Sequence, residues 1–252
     1  MMATHNKALP EKLRHDAIIE AIFEVRFDMT VMIPEIFFGQ LAACELWKKF
    51  EQHRMPAYAI PTPLRQADVN LRFQPVFELR EAKGHRSVRI GSNVFSYHQM
   101  SPYVGGDKFI LELSEAIDIL FEKAKGLNVR RLGFRYINAL IPDIHDIRSI
   151  AALDLKLAIA GESVSDQVNI NYTKDLSDDT RCTVRIATPD FVQGVLPPNT
   201  AVMIDVDVFT KDSFRTKENT KVKEWVKYAH IKEKEQFFRL LTDKTIDFLK
   251  EN

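Results

Sequence analysis

The chain has 252 residues, 45% hydrophobic and 28% charged, which suits a globular protein able to bury a sizeable core. Lysine plus arginine and aspartate plus glutamate both total 35, so the basic surplus of a general nucleic-acid or membrane-surface binder is missing. No apolar run approaches the roughly 20 residues that span a bilayer, and the opening MMATHNKALPEKLRHD has no signal-peptide core, so a cytoplasmic protein is expected.

Residues 1–16 read as an N-terminal tail. AIIEAIFEVRF then alternates, with Ile19, Ala21, Phe23, Val25 and Phe27 on one face and Glu20, Glu24 and Arg26 on the other, a strand with one buried side. IPEIFFGQLAACELWKKF places Ile36, Phe37, Leu41, Cys44 and Trp47 at helical spacing, with Pro34 in the first turn. QHRMPAYAIPTPLRQAD has three prolines and no period, and reads as a loop. NLRFQPVFELR, HRSVRIG and NVFSYHQM read as extended. DKFILELSEAIDILFEKAKG reads as an amphipathic helix capped at Gly126.

The order then restarts. VRRLGFRYINAL is a strand, DIRSIAALDLKLAIA a helix, and DQVNINYTK, TRCTVRIAT and AVMIDVDVF are strands. A long C-terminal helix runs from about Lys217 to Lys250. Each half thus reads β-α-β-β-β-α. The expected fold is α+β, two repeats (17–128 and 129–252) of antiparallel sheet with helices on one face, resembling the saddle of TATA-binding protein.

Arg131 and Arg135 alternate with Leu132, Phe134 and Tyr136, so the arginines fall on the outer sheet face. Arg26, Arg72 and Arg80 are expected there too, with Arg89, and Arg181 and Arg185 share a side of their own strand. The plainer reading is a salt-bridged face in which Arg131 and Arg135 meet Glu20 and Glu24. The functional reading is a polar cleft for a ligand, since arginine suits planar recognition of carboxylate or phosphate. It is not a base-stacking platform, because Phe23, Phe27, Phe73, Phe77 and Phe134 are expected to point inward.

The sequence contains no GxxxxGK[ST], GxGxxG, GxSxG or HExxH. Asp205 and Asp207 share one strand face, a spacing that can hold a divalent cation, with salt bridging to Arg181 or Arg185 as the competing reading. Asp143, His145 and Asp146 read as a helix start, not an acid–base set. Cys44 and Cys182 lack a CxxC partner and fall on apolar faces, so neither disulfide, zinc nor nucleophile is indicated. Along the final helix Val222, Trp225, Val226, Ala229, Phe237, Leu240, Leu241 and Phe248 recur over some 30 residues. Such a stripe outruns a simple globular helix and reads as two helices with a break or as one helix extending beyond its domain; it packs on the second sheet or, through Trp225, Phe237, Leu241 and Phe248, forms a partner or homo-oligomer surface.

Several segments together resemble a family of uncharacterised prokaryotic proteins described only as sporadically distributed. Its opening P-I-x-E-A-x-x-E-x-R-F strand is matched at Ile19, Glu20, Ala21, Glu24, Arg26 and Phe27, with HDA replacing the proline lead. Its GLRYIN strand is matched at Gly133, Arg135, Tyr136, Ile137 and Asn138, and its closing helix at His230, Phe237, Thr242 and Asp243. SPYVGGDKF is similar to its PY-x-G-W-E-x-F segment, with Gly106 where tryptophan is usual. The resemblance implies a stand-alone cytoplasmic bacterial protein from accessory or mobile loci such as antiphage defence or toxin–antitoxin systems, and supplies no catalytic residue. The expected function is a non-enzymatic binding or interaction protein, an accessory, sensor or antitoxin-like component, with no cofactor. The alternative is a metal-dependent enzyme acting on nucleotides or nucleic acid through Asp205, Asp207 and the sheet-face arginines.

Overall fold

The structure, a computed structural model, describes residues 9–10, 13–29, 34–164 and 166–250. Most of the expected N-terminal tail and the first residue of the expected first helix lie outside them.

The alternating opening segment forms β1 (Ile18–Asp28). It is followed by α1 (Pro34–Ala42), β2 (Glu51–Arg54), α2 (Thr62–Ala67), β3 (Phe77–Arg80), β4 (Arg86–Ile90), β5 (Val94–Met100) and α3 (Gly106–Lys123). The chain continues through β6 (Asn128–Leu140), the one-turn α4 (Pro142–His145), β7 (Ala158–Ile159), β8 (Glu162–Ser163), β9 (Asn169–Asp175), β10 (Thr180–Ala187) and β11 (Val202–Thr210). It closes with α5 (Asn219–Phe238) and α6 (Asp243–Leu249).

Nine strands make one antiparallel sheet in the order β2-β3-β4-β5-β1-β6-β11-β10-β9. The fold is therefore α+β, with β1 and β6 side by side at the centre. Phe23 faces Phe134 across that pair, and neither has any exposure. Outward from the centre the order is β5-β4-β3 on one side and β11-β10-β9 on the other. α1, α3 and α5 gather on the Phe23 face, where α3 buries Phe109, Leu113, Ala116, Ile117 and Leu120 at helical spacing and packs on α5. An aromatic cluster of Tyr97, Phe109, Phe134, Tyr136 and Tyr103 fills this layer, with ring centroids 5.2–6.1 Å apart. No helix among the described residues is long and apolar enough to cross a membrane.

The structure corrects three expectations and decides between the alternatives of a fourth. Residues 146–160 are not a helix: a 3-10 turn at Ile150–Ala152 gives way to β7. Leu153, Leu155, Leu157 and Ile159 alternate there, and Asp154 N–H donates to the Leu240 carbonyl at 2.8 Å, so the segment runs extended against the end of α5. The proline-rich loop contains β2, a 3-10 turn and α2. NLRFQPVFELR is a strand only from Phe77, which leaves Arg72 and Phe73 in turns. Phe73 sits under the Arg26 guanidinium, 4.9 Å from its carbon, and not in the core. The C-terminal helical stretch takes the first of its two expected forms, two helices with a break after Phe238, and Thr242 caps α6 by accepting from the Thr245 N–H at 3.2 Å.

The apolar stripe on those helices is covered by the chain itself. Trp225, Phe237 and Leu241 are buried, whereas Phe248 is 48% exposed. Trp225 also donates its indole N–H to Thr180 at 3.2 Å.

Candidate functional site

On the outer face, strand alternation projects Glu20, Glu24 and Arg26 from β1, Arg131 and Arg135 from β6, and Ser96 and His98 from β5. With Arg89 and Asp207 they line a cleft of about 440 Å³, closed on one flank by Met55, Gln74 and Pro75. Of the expected arginines, Arg26, Arg131 and Arg135 meet here, joined by Arg89; Arg72, Arg80, Arg181 and Arg185 do not.

The charges in the cleft are matched. Arg135 takes both oxygens of Asp205 at 2.7 and 2.6 Å, a fork that replaces the expected contact with Glu20 or Glu24. Glu24 instead accepts from Arg26 at 2.7 Å and Arg131 at 3.1 Å, and Arg131 lies 3.6 Å from Asp207. Arg89 and Arg80 both pair with Glu78, Arg72 with Asp28, and Arg181 with Asp175. Arg185 donates to Asn169 and to the Phe191 carbonyl, not to either aspartate of β11. The two aspartates therefore face β6 guanidinia. Burial, reinforced by Asp205 and Glu24 and opposed by Arg131 and Arg135, leaves the Asp207 carboxyl pushed up to about 6. Among the described residues, no group of three or more histidines, cysteines, aspartates and glutamates is arranged to hold a metal ion.

The cleft also contains a chain the sequence reading missed. Ser96 Oγ lies 2.8 Å from His98 Nε2, and His98 Nδ1 lies 2.8 Å from Glu20 Oε1. The order is that of a Ser–His–acid relay. Burial drives the His98 ring toward its neutral form, which donates from Nδ1 to Glu20 and accepts the Ser96 hydroxyl at Nε2. An oxyanion needs donors beside the serine. β5 lies inside the sheet with its backbone committed to β1 and β4, while Arg89, Arg131 and Arg135 are held by carboxylates. The relay is thus a satisfied polar network.

The opposite face holds a smaller and less balanced site. A cavity of about 150 Å³ lies between β6, the turn leading into α3, and α5, bounded by Leu13, Asp16, Ala17 and Ile18 on one side. Tyr103 and Tyr136 share a hydroxyl–hydroxyl hydrogen bond of 2.5 Å, and the Tyr136 oxygen is 3.2 Å from His230 Nδ1. Burial raises both phenols, so both stay protonated, and it lowers the imidazole. Gly105 adopts φ 91°, a left-handed conformation that glycine allows without strain. Gly106 lets the chain approach His230, since a Cβ there would sit 2.7 Å from Nε2.

Glu233 faces this cavity from α5 and is 2% exposed. Its Oε1 has no hydrogen-bond partner among the described residues. Complete burial lifts its carboxyl well above the usual range, with Asp205 adding to the effect and Lys234 opposing it. Glu233 falls four residues after Ala229 and four before Phe237, so it occupies an apolar-stripe position. That period was the available signal, hidden by the charged run HIKEKEQ around it.

No protein-family model matches the chain, and no curated protein matches it. Its site must therefore be judged on chemistry. The outer cleft has its charges paired, while the inner cavity carries a buried acid whose Oε1 has no hydrogen-bond partner among the described residues. A native fold tolerates such a group at a cost of roughly 1–3 kcal/mol, which points to a role other than stability.

The remaining candidates fall elsewhere. His145 is buried at the end of α4, where Nδ1 accepts from the Ile141 N–H at 2.9 Å, and Asp146 is the left-handed residue that ends that turn. Cys182 lies in the core with its thiol pushed up to about 12 by burial, and Cys44 follows α1 in a turn.

Proposed function

We propose that this protein is a non-enzymatic binding protein whose ligand site is the cavity lined by Tyr103, Tyr136, His230 and Glu233. The single observation that carries this reading is the buried Glu233 Oε1, which has no hydrogen-bond partner among the described residues and is aimed into that space. A volume of about 150 Å³ is that of a cavity able to take a benzene-sized molecule. Apolar walls with a few convergent polar groups are what small-ligand sites are made of. The role is that of a sensor or accessory component in a cytoplasmic defence or mobile-element system.

The resemblance to the sporadically distributed family supports this reading. Tyr103, Tyr136, Asn138, His230 and Phe237 come from three separate matched segments and line one cavity. Membership of that family is part of this proposal. The strand order, mirrored about β1 and β6, supports descent of the two halves from one α+β unit and a saddle-like sheet; RSVRI in β4 and TVRI in β10 hold corresponding slots. A protein partner or second copy is proposed to dock at α6, where Phe248 is exposed. The carboxylate-matched arginines argue against general nucleic-acid binding.

The test is thermal denaturation of the full chain against neutral, cationic and anionic molecules of about six heavy atoms, repeated with Ile18→Phe, which narrows the cavity wall. A shift seen for the native chain and lost in the variant supports the site. Shifts unaffected by the variant would place binding elsewhere.

A further inference from the structure

The charge of the ligand can be argued from the walls of the same cavity. The acidic groups around it are Glu233 on α5, Asp107 at the start of α3, and Asp16 before β1, with Asp205 of β11 acting on Glu233 from the sheet side. The basic group among the described residues is Lys234, and His230 is held toward its neutral form by burial and by Lys234. The hydroxyls of Tyr103 and Tyr136 are neutral. An anion would place a second negative charge beside a carboxyl that already resists ionisation. A neutral ligand would leave that carboxyl protonated and gain one ordinary hydrogen bond. A cation supplies the counter-charge that lets Glu233 ionise, and the rings of Tyr103, Tyr136 and Phe237 offer the aromatic surroundings in which organic cations are held.

We propose that the cavity binds a small primary ammonium carried on a short apolar body, with Glu233 as its counter-charge and Tyr103, Tyr136 and Phe237 as its walls. This inference rests on the cavity being the ligand site. The ammonium group donates to Glu233 Oε1, and the apolar body lies toward Ala17, Ile18 and Phe238. Binding displaces the Glu233 proton into solvent: the O–H bond of the carboxyl breaks and the carboxylate pairs with the cation.

The probe is n-butylammonium, with 1-butanol, butyramide and butyrate as controls of similar size, titrated calorimetrically into the full chain at pH 6.5 and pH 8.5. Two buffers of different ionisation enthalpy report the proton. The expected result is saturable binding of butylammonium at least tenfold tighter than any control, with proton release at pH 6.5 and tighter binding at pH 8.5. Glu233→Gln should lose at least tenfold in affinity while keeping the native circular dichroism. If that variant does not fold, proton release by the native chain and its preference over butanol decide the matter alone. Butanol or butyramide binding as tightly as butylammonium, with no pH dependence, would overturn the ammonium inference and leave the site reading standing. Butylammonium binding that Glu233→Gln does not weaken would overturn it too. No binding by any of the four probes would overturn both.

Discussion

Arg135 and Asp205 form a two-bond fork across β6 and β11, although Arg135 lies directly opposite Asp207 in the register. The diagonal choice places a buried carboxylate of the outer face, 7% exposed, against the guanidinium with the right planar geometry. Arg135→Leu should destabilise the protein by about 1–3 kcal/mol, less than the full cost for a deeply buried pair because Arg135 itself is 40% exposed. Urea denaturation of Arg135→Leu, Asp205→Leu and the double variant measures it. A double variant as unstable as the sum of the two singles would show that the pair is not coupled.

The same fork bears on metal chemistry. Both Asp205 oxygens are engaged by Arg135, so a divalent cation would have to displace a guanidinium. Millimolar Mg²⁺ or Mn²⁺ should leave the melting temperature of the native chain unchanged. A rise of several degrees that Asp205→Asn abolishes would revive the cation reading.

The Ser96–His98–Glu20 relay should be structural. A fluorophosphonate probe should leave Ser96 unmodified, and Ser96→Ala should cost about 1 kcal/mol from the lost hydrogen bond to buried His98. Because burial depresses His98, its contribution to stability is present above the unfolded value near 6.5 and is lost as pH falls toward the lower folded value. His98→Gln should therefore flatten the acid side of the stability profile. His145 and His230 are depressed in the same direction, so part of the slope should persist.

Glu233 acts with the opposite sign. Its folded-state carboxyl lies above the ordinary 4.5, so its stabilising contribution is complete below 4.5 and disappears as pH rises through the folded value. In the ligand-free protein Glu233→Gln should be more stable than the native chain at pH 8 by about 1–3 kcal/mol, and the difference should shrink toward pH 4.5. Equal stability of the two proteins at pH 8 would mean that Glu233 has a counter-charge.

Trp225 and Phe248 should separate core from surface. Trp225→Ala should cost about 3–5 kcal/mol by leaving a cavity under α5. Phe248→Ser should change stability by less than about 1 kcal/mol while weakening any self-association seen by sedimentation. Unchanged sedimentation would remove α6 as a docking surface.

Alternation alone placed Phe23 and Phe134 in the core and Glu24, Arg131 and Arg135 outside it, because a strand's side-chain period is two and the sign of each position can be read locally. The α3 stripe was legible for the same reason at a period near 3.6. Pairing partners were not: Arg135 selects Asp205 over Glu20 and Glu24 because the register of β6 against β11 fixes which carboxylate is in reach, and register is a property of two distant segments. The 146–160 segment became extended because Leu240 and Leu241, just after α5, pair with it at Asp154 and Leu153, a partner no local propensity encodes, while β8 closes its far end as a hairpin. Only tertiary structure could bring Tyr103 and Tyr136 to His230 and Glu233, which already lie one turn apart on α5, since much of the burial that turns a surface glutamate into a ligand group comes from β6 and the turn into α3, more than ninety residues away.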